Sequence, residues 1–270
     1  MSDLEMQQYL FDLQGYLVVE DVLSTEEIAT FNELIDQQKL PPPGKVQRFG
    51  SAPEGPGFLQ WRKPFCDLLD HPRMMPILRL RLGDYFRLDR LYGMYMREGM
   101  PRGRLHADYG TMSPTSGSVP GEYYHPPDTE LTQGFTVVAW NLSATGPDYG
   151  GFCCIPGSHK SNFRLPHKIQ DAPDMASCVV IPTARAGSAI LFTEALTHGT
   201  MVWRGKHERR SLLYKYCVSQ MAWTSKRVQP PANVEITPRQ KILFSAPAAP
   251  KGHFPSLFEG FENEEAHPLS

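Results

Sequence analysis

The chain has 270 residues, 41% of them hydrophobic, which suffices for one large domain with a substantial buried core. Its formal net charge of -2 excludes a general electrostatic attraction to nucleic acid or to a membrane surface, and the densest basic stretch, Arg204 to Arg210, is interrupted by Glu208. Apolar runs such as Phe135 to Trp140 are far too short to span a bilayer, no charged-then-apolar leader opens the chain, and the five cysteines form neither a paired framework nor a C-x-x-C spacing. The closing His267-Pro268-Leu269-Ser270 is not the usual peroxisomal ending, so a cytoplasmic protein with reduced thiols is expected.

The amino-terminal third reads helical. Ser24 is placed to cap a helix with Glu27 as its capping-box partner, while Leu23 faces Ile28 as a staple. The helix is predicted to run to about Gln38 with Ile28, Phe31 and Ile35 on one face, until Pro41-Pro42-Pro43-Gly44 opens a polar loop to about Gly57. One or two further helices are predicted over 64–82, broken near Pro72 and Pro76, and this helical layer is expected to brace the outside of a sheet.

From Tyr85 the pattern changes to short β-type runs at 91–97, 104–109, 135–142, 151–155, 177–182, 188–193 and 211–218, separated by turn residues. Many short strands point to a sandwich or jelly roll. Residues 109–134 are long for a connection within a compact domain and are expected to form a lid or substrate loop, carrying Tyr109, Ser113, Tyr123, Tyr124 and His125. Past Gln220 the chain is proline-rich, Thr237-Pro238 is predicted to start a short helix, and residues 259–270 read as a flexible tail. Residues 1–258 therefore read as a single domain, with a β core at about 85–220.

The chemistry concentrates in His106-Ala107-Asp108. On a strand, residues two apart share a face, so His106 and Asp108 can offer an imidazole nitrogen and a carboxylate to one ion. A third ligand from a distant strand would complete the 2-His-1-carboxylate facial triad of non-haem iron(II) sites, which leaves other positions open. His198, following the apolar run Ala189-Ile190-Leu191-Phe192, is the candidate, with His125, His159, His167 and His207 as rivals in the same half of the chain. Alone the triplet is a weak signal. It gains weight from Arg209, which shares strand parity with Ser211, because a guanidinium and a hydroxyl together can hold one carboxylate. Arg210 competes for that role. Parity groups it with Leu212, Tyr214 and Tyr216, against Ser211, Leu213 and Lys215 for Arg209, and neither set is plainly the inner one.

These motifs carry a resemblance. Phe11-Asp12-Leu13-Gln14-Gly15-Tyr16-Leu17-Val18-Val19, Leu23 to Ile28, Trp140-Asn141-Leu142, and Gly150-Gly151 through Pro156-Gly157-Ser158-His159 are followed by His198-Gly199 and, eleven residues after that histidine, Arg209. In this order the chain, from about residue 5 to about 220, resembles the phytanoyl-CoA dioxygenase family of iron(II)/2-oxoglutarate oxygenases. The resemblance implies a double-stranded β-helix of cupin-like jelly-roll type, with amino-terminal helices packed against the barrel. It implies His106, Asp108 and His198 as iron(II) ligands and Arg209 as the group binding the distal carboxylate of 2-oxoglutarate, helped by Ser211 and Thr200, with Trp140 lining the pocket. The resemblance also implies dioxygen as the further cosubstrate. His159, in its Pro-Gly-Ser-His turn, is kept out of the metal shell.

The implied reaction is hydroxylation of a C–H bond of a small metabolite, coupled to conversion of 2-oxoglutarate to succinate and carbon dioxide. Related halogenases lack the carboxylate ligand, so Asp108 favours hydroxylation, although desaturation or cyclisation would use the same ligands. A non-oxygenase metal enzyme of cupin shape would have no use for Arg209 and Ser211, and a silent binding protein would not require the triad. Arg104, two before His106, is a candidate cation for an anionic substrate, and Tyr109 a second substrate contact. No motif selects a particular substrate or an oligomeric state.

Overall fold

The computed structural model describes residues 3–44, 48–108, 134–161 and 163–261. Helix α1 (Asp3–Gln14), strand β1 (Tyr16–Val19) and helix α2 (Thr25–Asp36) open the chain. The α1–β1 turn rests on Gly15, whose φ of 80° suits glycine and on which a Cβ would lie 2.5 Å from the His159 ring. His159 Nε2 bonds the Asp12 carbonyl at 2.8 Å, so the Pro-Gly-Ser-His turn clamps the end of α1. Helix α2 begins as its sequence dictates: Glu27 N–H donates to Ser24 Oγ, and Ser24 N–H donates to Glu27 Oε2. Its buried face is Phe31 and Ile35.

Strand β2 (Arg48–Ala52) lies where the sequence reads as a polar loop. Helices α3 (Lys63–Asp67) and α4 (Met75–Leu82) divide around Pro72, while Pro76 sits in the first turn of α4, where its missing N–H has no intrahelical partner to lose. There follow β3 (Phe86–Met96), β4 (Phe135–Asn141), β5 (Gly151–Cys154), α5 (His167–Asp171), β6 (Ala189–Thr193), β7 (His198–Met201), β8 (Arg209–Val218) and the capped α6 (Pro238–Ile242). No regular strand forms at 177–182 or over 104–108, the described part of the strand expected at 104–109. His106 makes a single bridge to His198, and Val180 a single bridge to Cys154. Around His106 the register slips on both sides, because Gly103 N–H reaches Thr200 O and Asp108 N–H reaches Glu194 O, and neither continues the His106–His198 pair. At 177–182, Pro182 has no N–H to offer a ladder.

The strands build two antiparallel sheets, one of order β1-β6-β4-β8-β3-β2 and one of β5 and β7. Alternation along β4 and β8 gives the large sheet two different faces. Val138, Trp140, Leu212, Tyr214 and Tyr216 pack against the helices, with the Tyr214 and Tyr216 hydroxyls donating to the Phe65 and Leu69 carbonyls at 2.6 and 2.9 Å. On the other face Val137, Ala139, Ile190, Phe192 and Leu213 meet Phe152 and Cys154 of the small sheet. The site lies between these sheets. All five cysteines are free, and among the described residues no helix is long and apolar enough to cross a membrane.

Strand β2 owes its existence to a tertiary contact. Phe49 pairs with Gly93 of β3, and its ring occupies the space a Cβ would need, stacking on Trp61 and meeting Tyr95 edge-on. A Cβ on Gly93 would lie 2.1 Å from that ring. Gly93→Ala is expected to lower stability by about 1–3 kcal/mol through overpacking, read as a lower urea midpoint at unchanged slope.

Candidate metal and cosubstrate site

Two histidines far apart in sequence are locked together by reciprocal backbone bonds, His106 N–H to His198 O and His198 N–H to His106 O, each 2.8 Å. Each ring is oriented in the same way. His106 Nδ1 lies 2.9 Å from the Arg104 carbonyl and His198 Nδ1 lies 2.8 Å from the Leu196 carbonyl. A carbonyl can only accept, so each Nδ1 carries the proton and each Nε2 keeps its lone pair for a metal. With a carboxylate oxygen of Asp108, the three ligand atoms all lie within 4.8 Å of one another. The donor set fits a divalent metal of the iron type, two imidazoles and one carboxylate. His159 is committed elsewhere, as above.

Asp108 is held from two sides. Its N–H donates to the Glu194 carbonyl at 2.8 Å, and its Oδ2 accepts from Lys215 Nζ at 2.8 Å. Burial alone would raise this carboxyl, but the Lys215 ammonium and the two imidazoles outweigh it and hold the group well below the usual carboxylate range. In turn burial would lower Lys215, and the facing Asp108 carboxylate more than reverses this. Burial, with His106 alongside, pushes His198 down to about 4, so its ring is neutral and ready to ligate at neutral pH.

The ambiguity between the two arginines is resolved by what each touches. Arg210 turns to the helical layer, bonding Glu208 at 2.8 Å, Asp36 at 2.6 Å and the Asn32 carbonyl at 3.2 Å. Arg209 turns inward and is only 4% exposed. Its Nη1 contacts Met96 Sδ at 3.4 Å, its Nε has no partner, and no described carboxylate forms an ion pair with it. Burial lowers its pKa to about 10, so it stays cationic at neutral pH. Ser211 Oγ, also buried, has no partner either. A buried guanidinium and hydroxyl left open on one strand face suit a carboxylate ligand. Arg209 and Thr200 share with His106 and His198 a cavity of about 90 Å³, also lined by Asn141 and Tyr92.

Two sequence assignments change. Trp140 faces the other way: Ala139 and Asn141 line the cavity, while Trp140 packs edge-on against His71 in the helix-side core. Strand alternation makes these positions mutually exclusive. Arg104 is exposed and absent from the cavity wall. Its Nε and Nη2 lie 2.9 and 3.0 Å from the Gln170 side-chain oxygen, in the amide orientation that satisfies both groups. The surface-facing cation at the cavity is instead Arg48, stacked 4.0 Å over the Tyr92 ring. Tyr109 and the expected lid at 109–134, apart from Gly134 at its end, lie outside the described residues. Lys215, Glu194, Asn141 and Tyr92 were not singled out from sequence. Lys215 could have been, as a lysine sharing the parity of Arg209 within the mainly apolar run Leu212 to Val218.

An antiparallel β fold holding a 2-His-1-carboxylate set defines the class of cupin-like mononuclear metal proteins. The family model for phytanoyl-CoA dioxygenase (PhyH) matches residues 11–211, and the chain belongs to that family, whose members use iron(II), 2-oxoglutarate and dioxygen. The fold is similar to crystal structures of HygX from Streptomyces hygroscopicus. The form with nickel and 2-oxoglutarate bound has a TM-score of 0.68 at 21% identity, over 82% of this chain and 89% of that one. The form with nickel, 2-oxoglutarate and hygromycin B gives 0.65 at 22% identity, over 82% and 89%. EctD from S. alaskensis in its apoform gives 0.58 at 22% identity, over 93% and 85%. Comparison with curated proteins finds no significant sequence match.

Glu194 is fully buried beside the site. Its Oε1 accepts the Gly134 N–H at 2.8 Å and its Oε2 accepts from Thr193 Oγ1 at 2.5 Å. Burial pushes its pKa from 4.5 up to about 7. A carboxyl raised on folding favours the neutral form, so its contribution is intact below about pH 4.5 and is lost as pH rises through 7. The loss amounts to about 3 kcal/mol. Metal-free Glu194→Gln should match the wild type near pH 4.5 and exceed it in stability above pH 7, checked by denaturant melts across pH; parallel curves would refute the assignment.

Proposed function

We propose that the protein is an iron(II)- and 2-oxoglutarate-dependent oxygenase that hydroxylates an unactivated C–H bond of a small metabolite while converting 2-oxoglutarate to succinate and carbon dioxide. The observation that carries this reading is Arg209, a buried guanidinium that has no carboxylate partner among the described residues and lines the cavity that His106 and His198 share. A metal enzyme without an anionic cosubstrate has no use for that cation.

His106, Asp108 and His198 hold the iron. Arg209, with Ser211 and Thr200, fixes the far carboxylate of the cosubstrate. Bound iron and 2-oxoglutarate together supply the oxidising chemistry with dioxygen. Ile190, Phe192, Phe152 and Leu213 form an apolar wall that keeps water from the reacting centre. The two sheets are read as halves of a double-stranded β-helix, and residues 1–258 as one oxygenase domain working in the cytoplasm. HygX crystallised with hygromycin B supports a small-molecule substrate for this chain too.

Anaerobic addition of 2-oxoglutarate to the iron(II) protein is expected to give a visible charge-transfer band, and aerobic turnover to release succinate. His106→Ala should abolish both. Arg209→Met should retain metal but weaken 2-oxoglutarate by about 3 kcal/mol, roughly a hundredfold, as expected when a charged partner is removed. Iron binding without any spectral response to 2-oxoglutarate would sink the proposal.

A further inference from the structure

Lys215 is a lysine in the middle of the large sheet, on a strand paired on both sides: its Cα faces Val137 of β4 and Arg90 of β3. It is 5% exposed. Its ammonium lies 5.3 Å from the Phe135 ring centroid and 5.7 Å from that of Tyr92. Among the described residues its one hydrogen-bond partner is Asp108 Oδ2, at 2.8 Å. An ammonium has three donors, and here an aromatic enclosure leaves it a single acceptor. Such a group has one geometric consequence, which is where the Asp108 carboxylate points.

We propose that Lys215 is a positioning residue that holds Asp108 Oδ2 and so commits the carboxylate to bind the metal through one oxygen only. The argument rests on the functional reading above. An ammonium and a dication on the same carboxylate oxygen repel each other, so Oδ2 belongs to Lys215 and Oδ1 to the metal. An octahedral metal has six positions. Three protein donors would leave three positions for cosubstrate and oxygen, whereas a carboxylate free to swing could either take one of these or turn away from the metal. The backbone completes the hold, since Asp108 N–H is fixed on the Glu194 carbonyl. Lys215 touches neither cosubstrate nor reacting atoms, and it acts through Asp108.

The test uses cobalt(II) as a spectroscopic probe, added anaerobically to the full chain with and without 2-oxoglutarate. Lys215→Met, which keeps the volume and removes the donor, is expected to weaken cobalt by roughly 10–100-fold, as loss of a group that orients a ligand does. The cobalt absorption in the 2-oxoglutarate complex should change with the altered coordination. A circular-dichroism melt reports whether the variant folds. If it does not, Lys215→Gln, which retains a donor, carries the test with an affinity between wild type and none. Cobalt binding as tight as wild type or tighter, with an unchanged spectrum, overturns the inference. It would mean that Lys215 only neutralises a buried carboxylate, a role the metal itself can take over. Wild-type protein that binds cobalt but ignores 2-oxoglutarate overturns the functional reading while the affinity loss in Lys215→Met still supports the positioning role. Wild-type protein that takes up no cobalt overturns both.

Discussion

The site depends on the strict alternation of one strand. Along β8, Arg209, Ser211, Leu213 and Lys215 face the space between the sheets, and Arg210, Leu212, Tyr214 and Tyr216 face the helices. A slip of one residue would exchange the two sets, burying the Arg210 ion pairs in the cavity and exposing the site's cations to the helical core. The register is fixed from outside. Tyr214 and Tyr216 bond main-chain carbonyls at and just after α3, and Arg210 bonds Asp36 and Asn32 of α2. Polar anchors on the helical face thereby place functional groups on the opposite face, and that is the contribution of the amino-terminal helices to the chemistry.

The metal ligands depend on a second, smaller device. His106 and His198 exchange both backbone bonds, and each ring is pinned by the carbonyl two residues before it. The same local geometry therefore sets the tautomer and aim of both imidazoles without any side-chain partner. Asp108 cannot be set this way, because the register has already slipped when the chain reaches it. It needs Glu194 on its backbone and Lys215 on its carboxylate.

What could be read from sequence follows the distinction between local and tertiary causes. The Ser24 capping box and the α6 start at Thr237-Pro238 are local, and both appear as expected. His106, Asp108, His198 and Arg209 were legible because their spacing matches a family pattern, and the structure brings the three ligands together beside that arginine. Trp140 was misplaced because Phe135–Asn141 is buried on both faces, so alternation in hydrophobicity carries no sign of which side is inner. Arg104 was misplaced because the parity rule assumes a regular strand, and 103–108 makes only one bridge. Strand β2 was missed because Phe49 acquires its reason from Gly93, across the sheet.

Charge balance explains why the cosubstrate must be an anion. Asp108 and Lys215 neutralise each other, and both are buried enough that neither can be left alone cheaply. His198 is neutral at physiological pH. Glu194, a further buried carboxyl beside the site, has its oxygens engaged with Gly134 and Thr193 and forms no ion pair with Arg209. Among the described residues the inner end of the cavity is then left with the charge of Arg209, Arg48 lying on its surface-facing side, and, once a divalent metal binds, with that of the metal as well. Two carboxylates separated by a short chain, one at the metal and one at the guanidinium, match those two cationic centres in number and in arrangement. A monocarboxylate would leave the buried Arg209 or the metal without a counter-charge, so the same electrostatics favour a dicarboxylate over its half-sized relatives.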